Sequence, residues 1–354
     1  MAINNQKFKI NRPGLAGFNR RRGISVGIIL ALILIVLFIL SFAMGRYNIT
    51  PLDVVKILLS QVIPIEPTWK SIMETVILHI RLPRILAAML VGASLALAGS
   101  SFQGLFRNPL VSPDILGVSA GAGCGAALAI LLNGNSWAIQ VSAFCFAMLA
   151  VSLAFGVSKL VKGNATLSLI LAGMAIGSLF NAFLSLMKYV ADPIDQLPAI
   201  TYWLMGSLAG TSNHALLYSA VPMIAGIIVL VLIRWRFNVL AMGEEEAQSL
   251  GVDTAKLRLL IVVCCTLISA SSVCLAGTVG WVGLVIPHIG RALVGPDHKK
   301  LLPVCVLLGA AYLLLIDDIA RCAASIEIPI GILTAIIGAP FFIYLLKRTG
   351  KGWS

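Results

Sequence analysis

The chain is a series of long apolar runs separated by short polar stretches. Ten such runs occur along its 354 residues: 24–44, 85–106, 115–132, 137–157, 167–187, 215–233, 259–279, 281–294, 302–316 and 328–346. A helix needs about 20 apolar residues to cross the hydrocarbon core of a membrane, and most of the runs reach that length. The runs at 281–294 and 302–316 are shorter, so we expect broken or partly buried helices there. The pattern predicts an all-α polytopic membrane protein with about ten transmembrane helices.

Composition supports a chain that lies in lipid. Hydrophobic residues make up 59% of it and charged residues 11%, whereas soluble domains average about 25% charged residues. The net charge is +12, which raises the possibility of nucleic-acid binding. That function needs basic residues clustered together, often beside aromatic residues on which bases stack. Here the lysines and arginines lie mainly between the apolar runs, so we predict membrane lipid and no nucleic acid as a partner.

The distribution of positive charge predicts the orientation. If the N-terminus is cytoplasmic, 19 of the 26 lysines and arginines fall on the inner side. Inner loops of membrane proteins carry this excess, and an even number of spans places both termini in the cytoplasm. We therefore expect a basic cytoplasmic head (1–23), one transmembrane domain (24–347) with a cytoplasmic loop (234–258), and a cytoplasmic tail (348–354). No cleavable signal peptide is predicted, because the first run is long enough to span a membrane.

Two weaker patterns concern the outer side and the internal symmetry. Thr50 followed by Pro51 and an apolar stretch predicts a short capped helix at the outer interface. Leu97–Gly99 and Leu275–Gly277 share the sequence Leu-Ala-Gly near the ends of oppositely directed spans. That arrangement is typical of the inverted repeats of transporters, and we predict such a repeat here.

Motifs for enzymatic chemistry are missing from the sequence. There is no GxxxxGK[ST] loop to hold ATP phosphates, and no Ser/His/Asp or HExxH arrangement. The seven cysteines lie in or at the edge of apolar runs without a CxxC spacing. Neither a catalytic residue, a metal site nor a cofactor is predicted, and a membrane enzyme is disfavoured. An ion-coupled secondary transporter needs ionisable groups at mid-membrane, and the spans lack a charged row.

A set of distinctive segments lies at the helix ends. They are Arg81–Arg84, Leu90–Gly99, Arg107–Leu110, Leu116–Gly121, Trp203–Leu208, Gly243–Val252, Gly283–Arg291, Asp317–Arg321, Glu327–Gly331 and Gly338–Phe342. In this order they closely resemble the FecCD-type permeases of ABC importers, over residues 45–347. That family takes up ferric siderophores, haem and vitamin B12. The resemblance implies ten helices in a paired permease, with two cytoplasmic ATPase subunits and an external substrate-binding protein, periplasmic or a lipoprotein. The second permease subunit is identical or homologous, and the chain lies in a bacterial or archaeal cytoplasmic membrane.

One segment of the cytoplasmic loop is acidic, whereas the other predicted inner segments are mainly basic. Its glutamates favour the start of a short helix, and Leu250–Gly251 is typical of its end. The resemblance implies that this segment couples the permease to its ATPase, the alternative being a solvated loop. The residues to which this role is assigned are Gly243, Glu244, Glu245, Glu246, Ala247, Leu250 and Gly251.

Three of the arginines predicted on the outer side stand out against the positive-inside trend. The resemblance implies that Arg81, Arg84 and Arg321 receive carboxylates of the binding protein. The alternatives are snorkelling and a structural ion pair with Asp317, Asp318 or Glu327. We do not predict a metal site at the two adjacent aspartates, because neighbouring residues point to different faces of a helix.

Small residues on the fifth run suit the wall of a wide path. Gly173, Gly177 and Asn181 are assigned to the translocation path on this basis. Weak, mostly apolar contacts would let a large chelate enter and leave. A ferric siderophore is the expected cargo because it is the most frequent in the family, and haem and cobalamin are the alternatives.

Overall fold

The computed structural model describes residues 15–45, 47, 49–161 and 165–349. Most of the predicted basic head and of the predicted tail lies outside this part of the chain. The counted charges Arg46, Lys162 and Lys351 lie outside it too.

Within the described residues the fold is helical throughout. The helices are α1 (Leu15–Ala43), α2 (Pro51–Ser60), α3 (Ser71–Thr75), α4 (Leu82–Phe106), α5 (Val118–Leu131), α6 (Ser136–Leu160), α7 (Ala165–Val190), α8 (Gln196–Met205), α9 (Asn213–Leu232), α10 (Arg234–Met242), α11 (Glu244–Ser249), α12 (Thr254–Ala276), α13 (Val282–Val294), α14 (His298–Cys322) and α15 (Ile330–Thr349). A π-helical turn (Val76–Arg81) precedes α4, and a 3₁₀ turn (Pro113–Leu116) precedes α5.

All ten predicted runs are helices. Seven helices are long and apolar enough to cross a membrane, and three shorter apolar helices accompany them. The all-α polytopic fold with about ten spans is therefore confirmed. The inverted repeat stays a prediction.

Two predicted lengths are wrong. The run at 302–316 is part of a full 25-residue helix, α14, whose outer end continues through Asp317 and Asp318 because both carboxylates have internal partners. The run at 115–132 is shorter than expected, since α5 begins only at Val118. The helix predicted after Thr50 is confirmed as α2, whose first turn is capped by a bond from the Asp53 amide to the Thr50 hydroxyl (3.3 Å).

The centre of the bundle is α4, which packs against α12, α13 and α14. Glycines make the closest of these contacts possible. A Cβ atom added to Gly92 would collide with the Gly309 backbone of α14, and one added to Gly309 would collide with Gly92. Such backbone approach is typical of helices associating in lipid. As a result α4 and α14, each 25 residues long, form a closely packed pair.

Candidate translocation path and cytoplasmic coupling surface

The chain between α4 and α5 turns back into the bundle. Arg107 ends α4 in the left-handed conformation (φ 50°), and the 3₁₀ turn follows at Pro113–Leu116. A Cβ atom at Gly173 would lie 2.9 Å from the Leu116 Cα atom, so α7 touches this turn directly. Gly117, which follows the turn, meets α7 at Gly177, since a Cβ atom added to Gly117 would lie 3.2 Å from the Gly177 Cα atom. Gly177 is the thirteenth residue of the 26-residue α7. The turn therefore lies near half depth, where non-helical backbone is tolerated only beside protein or a water-filled cavity.

Two adjoining cavities open beside this turn. The first, of about 390 Å³, is lined by all three residues assigned to the path, Gly173, Gly177 and Asn181. The second, of about 470 Å³, adds Trp281 and Gly331. Four residues line both cavities: Asp114, Ser119, Leu204 and Thr278. We call the two cavities together the half-depth cavity.

One face of α7 presents polar side chains along this cavity and beyond it. Ser178, Asn181 and Ser185 are exposed, and their spacing of three and four residues puts them on one face. The two serine hydroxyls donate to backbone carbonyls of the preceding turn, at Met174 (2.8 Å) and Asn181 (2.9 Å). The Asn181 amide would be costly in hydrocarbon, so this face is suited to water or to a partner subunit.

Sequence reasoning missed Asp114. Its carboxylate is exposed at the half-depth cavity and accepts a hydrogen bond from the Ser119 hydroxyl. The positive end of the α5 dipole lies beside it, because α5 begins at Val118. None of the residues found to line the half-depth cavity is a lysine, arginine or histidine. The signal in the sequence was a single acid between Pro113 and an apolar run, and acids at mid-membrane are commonly functional.

The acidic segment of the loop 234–258, which is predicted to be cytoplasmic, forms its predicted short helix. Glu244, Glu245 and Glu246 occupy the first turn of α11, and Gly251 follows its end with a left-handed backbone (φ 79°). Glu244 also pairs with Arg258 of α12, which fixes the start of the helix. The exposed side of α11 and its flanking residues carries acidic and apolar side chains together.

Ala247, one of the residues assigned to coupling, faces into its own chain. Its side chain is fully buried within its own chain, where α11 lies against α10 and α12. The outward surface is formed by other residues, among them Met242 (62% exposed) and Leu250 (61% exposed). Exposed apolar side chains beside acids, on a loop outside the membrane, suit a protein partner.

A polar clamp joins α10 to the start of α14. The Asn238 amide donates to the Asp297 carboxylate (2.7 Å), and the Asn238 carbonyl accepts from the His298 backbone amide (2.9 Å). Phe237 is buried and stacks on the His298 ring at 5.6 Å. Burial opposes charge on Asp297, but the bonds from Asn238 and Lys299 and the nearby lysines lower its pKa below the ordinary value. α10 is therefore joined to the start of α14 by a charged, hydrogen-bonded contact.

The three outer arginines are buried. Arg81 is 4% exposed, and Arg84 and Arg321 are each 6% exposed. Arg84 pairs with Asp317 (2.9 Å) and Glu327 (2.9 Å). Arg321 pairs with Asp317 (3.2 Å) and also with Asp318. Arg81 donates to the backbone carbonyls of Phe42 and Tyr47.

This geometry differs from the exposed docking surface that was expected. Burying a guanidinium without partners is costly. Arg84 and Arg321 are accordingly paired with carboxylates, and Arg81 is bonded to backbone carbonyls. The structural ion-pair alternative fits the contacts of Arg84 and Arg321, and a role in docking stays a prediction. We call Arg84, Asp317, Asp318, Arg321 and Glu327 the outer ion cluster.

Comparison with known proteins agrees with this architecture. A model of the FecCD transport family matches residues 33–348. The Molybdate import system permease protein MolB of Haemophilus influenzae is 42% identical over 324 residues, covering 91% of this chain and 96% of that protein. The Fe(3+)-citrate import system permease protein YfmE of Bacillus subtilis is 38% identical over 332 residues, covering 93% and 96%.

A solved structure shares the fold over nearly the whole chain. It is an inward-facing conformation of an ABC transporter assigned to the metal-chelate type. It has a TM-score of 0.82 and 40% sequence identity, covering 92% of this chain and 99% of that one. The family match spans far more than half of the sequence. This chain belongs to the FecCD transport family and is a multi-pass membrane permease of the ABC transporter type.

Proposed function

We propose that this chain is the membrane-spanning subunit of an ATP-driven importer whose cargo is a metal chelate, most specifically a ferric siderophore. The observation that carries the proposal is the half-depth cavity, whose wall combines non-helical backbone, small residues and a polar helix face. Two copies, or this chain with a homologous one, would enclose the path between them. Separate ATPase subunits would bind the cytoplasmic end, and an external binding protein would deliver the cargo.

The energy for transport would enter through α11. Its acidic and apolar outward surface is suited to a groove on the ATPase, and the Asn238 clamp connects it to α14. Because α14 packs against α15, and α15 lines the half-depth cavity with Gly331 and Ala335, a displacement at α10 would reach the cavity through these two helices. In this proposal both termini are cytoplasmic, as the positive charges of the inner loops favour.

The charge of the cavity bears on the choice of cargo. MolB is named as a molybdate permease and YfmE as a ferric citrate permease, so relatives of this chain are named for different cargoes. An ionised carboxylate at this wall disfavours a dianion, because charges of the same sign repel each other. Asp114 is an acid, and no basic residue is among those found to line the cavity. The charge of the cavity therefore favours a neutral or cationic chelate over molybdate. Haem and cobalamin are the alternatives within the same class.

Cysteine accessibility tests whether the polar face of α7 borders a water-filled path. The background is a chain in which the exposed Cys145 and Cys322 are replaced by alanine. In it, an Asn181→Cys variant is expected to react with a charged thiol reagent about tenfold or more faster than a Leu179→Cys variant. The reason is that the reactive species is the thiolate, which forms in water and not in lipid. Both positions are exposed on α7 but on different faces. Equal rates would contradict the path assignment.

A further inference from the structure

A separate cavity lies at the cytoplasmic end of the bundle, away from the half-depth cavity. It measures about 600 Å³ and forms where α1 begins, α9 gives way to α10, and α14 begins. Ten residues line it: Gly23, Ile24, Gly27, Arg234, Asp297, Lys299, Lys300, Pro303, Val304 and Leu307. Nothing in the proposed transport cycle uses this cavity.

One side of the cavity is strongly basic. Arg234, Lys299 and Lys300 contribute three positive charges, and Asp297 contributes the single negative charge. The Asp297 carboxylate is already engaged by Asn238 at 2.7 Å, and the Lys300 ammonium is 3.9 Å from it. This side of the cavity therefore keeps a net charge of about +2. An anion is therefore the complementary ligand.

The other side of the cavity is apolar and faces lipid. Ile24 is an exposed residue of α1, and Pro303, Val304 and Leu307 follow the basic residues along α14. Gly27 leaves open space, since a Cβ atom added there would meet nothing within 4 Å. The aliphatic part of Lys300 lies against Gly23, where an added Cβ atom would be 2.9 Å from Lys300 Cδ. The groove between α1 and α14 thus has the width and polarity for an acyl chain.

The depth of the cavity matches that of lipid headgroups. Trp235 is exposed immediately after Arg234, and the Arg236 guanidinium lies 5.4 Å from the centre of its ring. Exposed tryptophans beside basic residues are typical of the membrane–water boundary. A ligand here would have its charged group at the boundary and its apolar part in the bilayer.

We propose that this cavity binds an anionic phospholipid, with its phosphate at Arg234, Lys299 and Lys300 and an acyl chain in the groove between α1 and α14. Basic pockets between transmembrane helices on the cytoplasmic side are suited to such headgroups. Occupancy would brace the start of α14, whose Asp297 and His298 are joined to Asn238 of α10. The lipid would therefore stabilise the contact through which α11 is connected to the bundle.

Native mass spectrometry of the purified permease tests the proposal directly. Mixed micelles would contain equal amounts of dioleoylphosphatidylglycerol and dioleoylphosphatidylcholine. The wild-type chain is expected to retain phosphatidylglycerol in clear preference. The double variant Lys299→Gln/Lys300→Gln is expected to retain it about tenfold less. A matched double variant, Lys159→Gln/Lys256→Gln, removes two exposed lysines from other loops at the same end and should retain the lipid as the wild type does.

Three outcomes would overturn the proposal: equal retention of both lipids by the wild type, equal loss in both double variants, or displacement of the lipid by millimolar inorganic phosphate. The last result would mean that the site takes a free anion. If the first double variant cannot be purified, the wild-type comparison of the two lipids decides alone. The readout needs no transport, so the lipid site and the proposed cargo can fail independently.

Discussion

An Ala247→Arg variant is expected to insert into the membrane normally but to lose at least about 90% of ATP-driven uptake. Ala247 is fully buried between α11 and its neighbours. Extra methylene groups in a packed site cost about 1–3 kcal/mol, and a buried guanidinium without a partner costs more. The six-residue α11 cannot absorb this cost and would leave its position, so the ATPase would meet a displaced surface.

The matched control for this variant is Ser249→Ala. Ser249 is exposed two residues further along the same helix, so its loss should leave uptake close to the wild-type rate. Uptake would be measured in proteoliposomes together with the rate of ATP hydrolysis. In the Ala247→Arg variant alone, we expect either ATP hydrolysis that continues without uptake or a loss of ATPase binding. Normal uptake by that variant would show that α11 does not connect the two subunits.

An Arg84→Met variant is expected to be destabilised by about 3–5 kcal/mol, the usual cost of breaking a buried ion pair from one side. The Asp317 side chain has no exposed surface and would keep only Arg321 as a partner. The loss would be measured as a large fall in the thermal denaturation midpoint of the purified chain. Lys70→Met, at an exposed cation on the outer side, should change the midpoint little.

A second substitution separates a structural role of Arg84 from a role in docking. Replacing both members of a buried pair by apolar residues is often neutral, so Arg84→Met/Asp317→Leu is expected to recover much of the lost stability. Recovery would assign Arg84 to the outer ion cluster. If instead Arg84→Met keeps the wild-type midpoint but binds the external protein more weakly, the arginine serves in docking.

Hydropathy was sufficient to predict the helices because lipid requires long apolar segments and leaves few other folds. It failed at the outer end of α14, where Asp317 and Asp318 interrupt the apolar run. Those carboxylates are tolerated because Arg84 comes from a distant part of the chain, and a local window contains no information about that partner. The burial of the arginines was missed for the same reason.

The lining of the half-depth cavity could be predicted in part, and its role as a translocation path stays a prediction. Gly173, Gly177 and Asn181 were found because small and polar residues stand out on an apolar helix, and they do line one cavity. Asp114 was not found, because its importance depends on depth. The sequence around it resembles a loop after α4, and only the contact between Leu116 and Gly173 puts that loop at the middle of the bundle. Ala247 was assigned to the coupling segment, but its inward orientation follows from packing that the pattern does not encode.

The central claim is that this permease moves a metal chelate when a separate subunit hydrolyses ATP. The most direct measurement is uptake into proteoliposomes that contain the permease and its ATPase, supplied with the binding protein and a labelled cargo. Ferric siderophore, haem, cobalamin and molybdate would be compared with ATP and with a non-hydrolysable analogue. The account predicts ATP-dependent accumulation of a chelate, first of all the ferric siderophore, with molybdate at background. Accumulation of molybdate alone, or chelate uptake that follows an ion gradient without ATP, would contradict it.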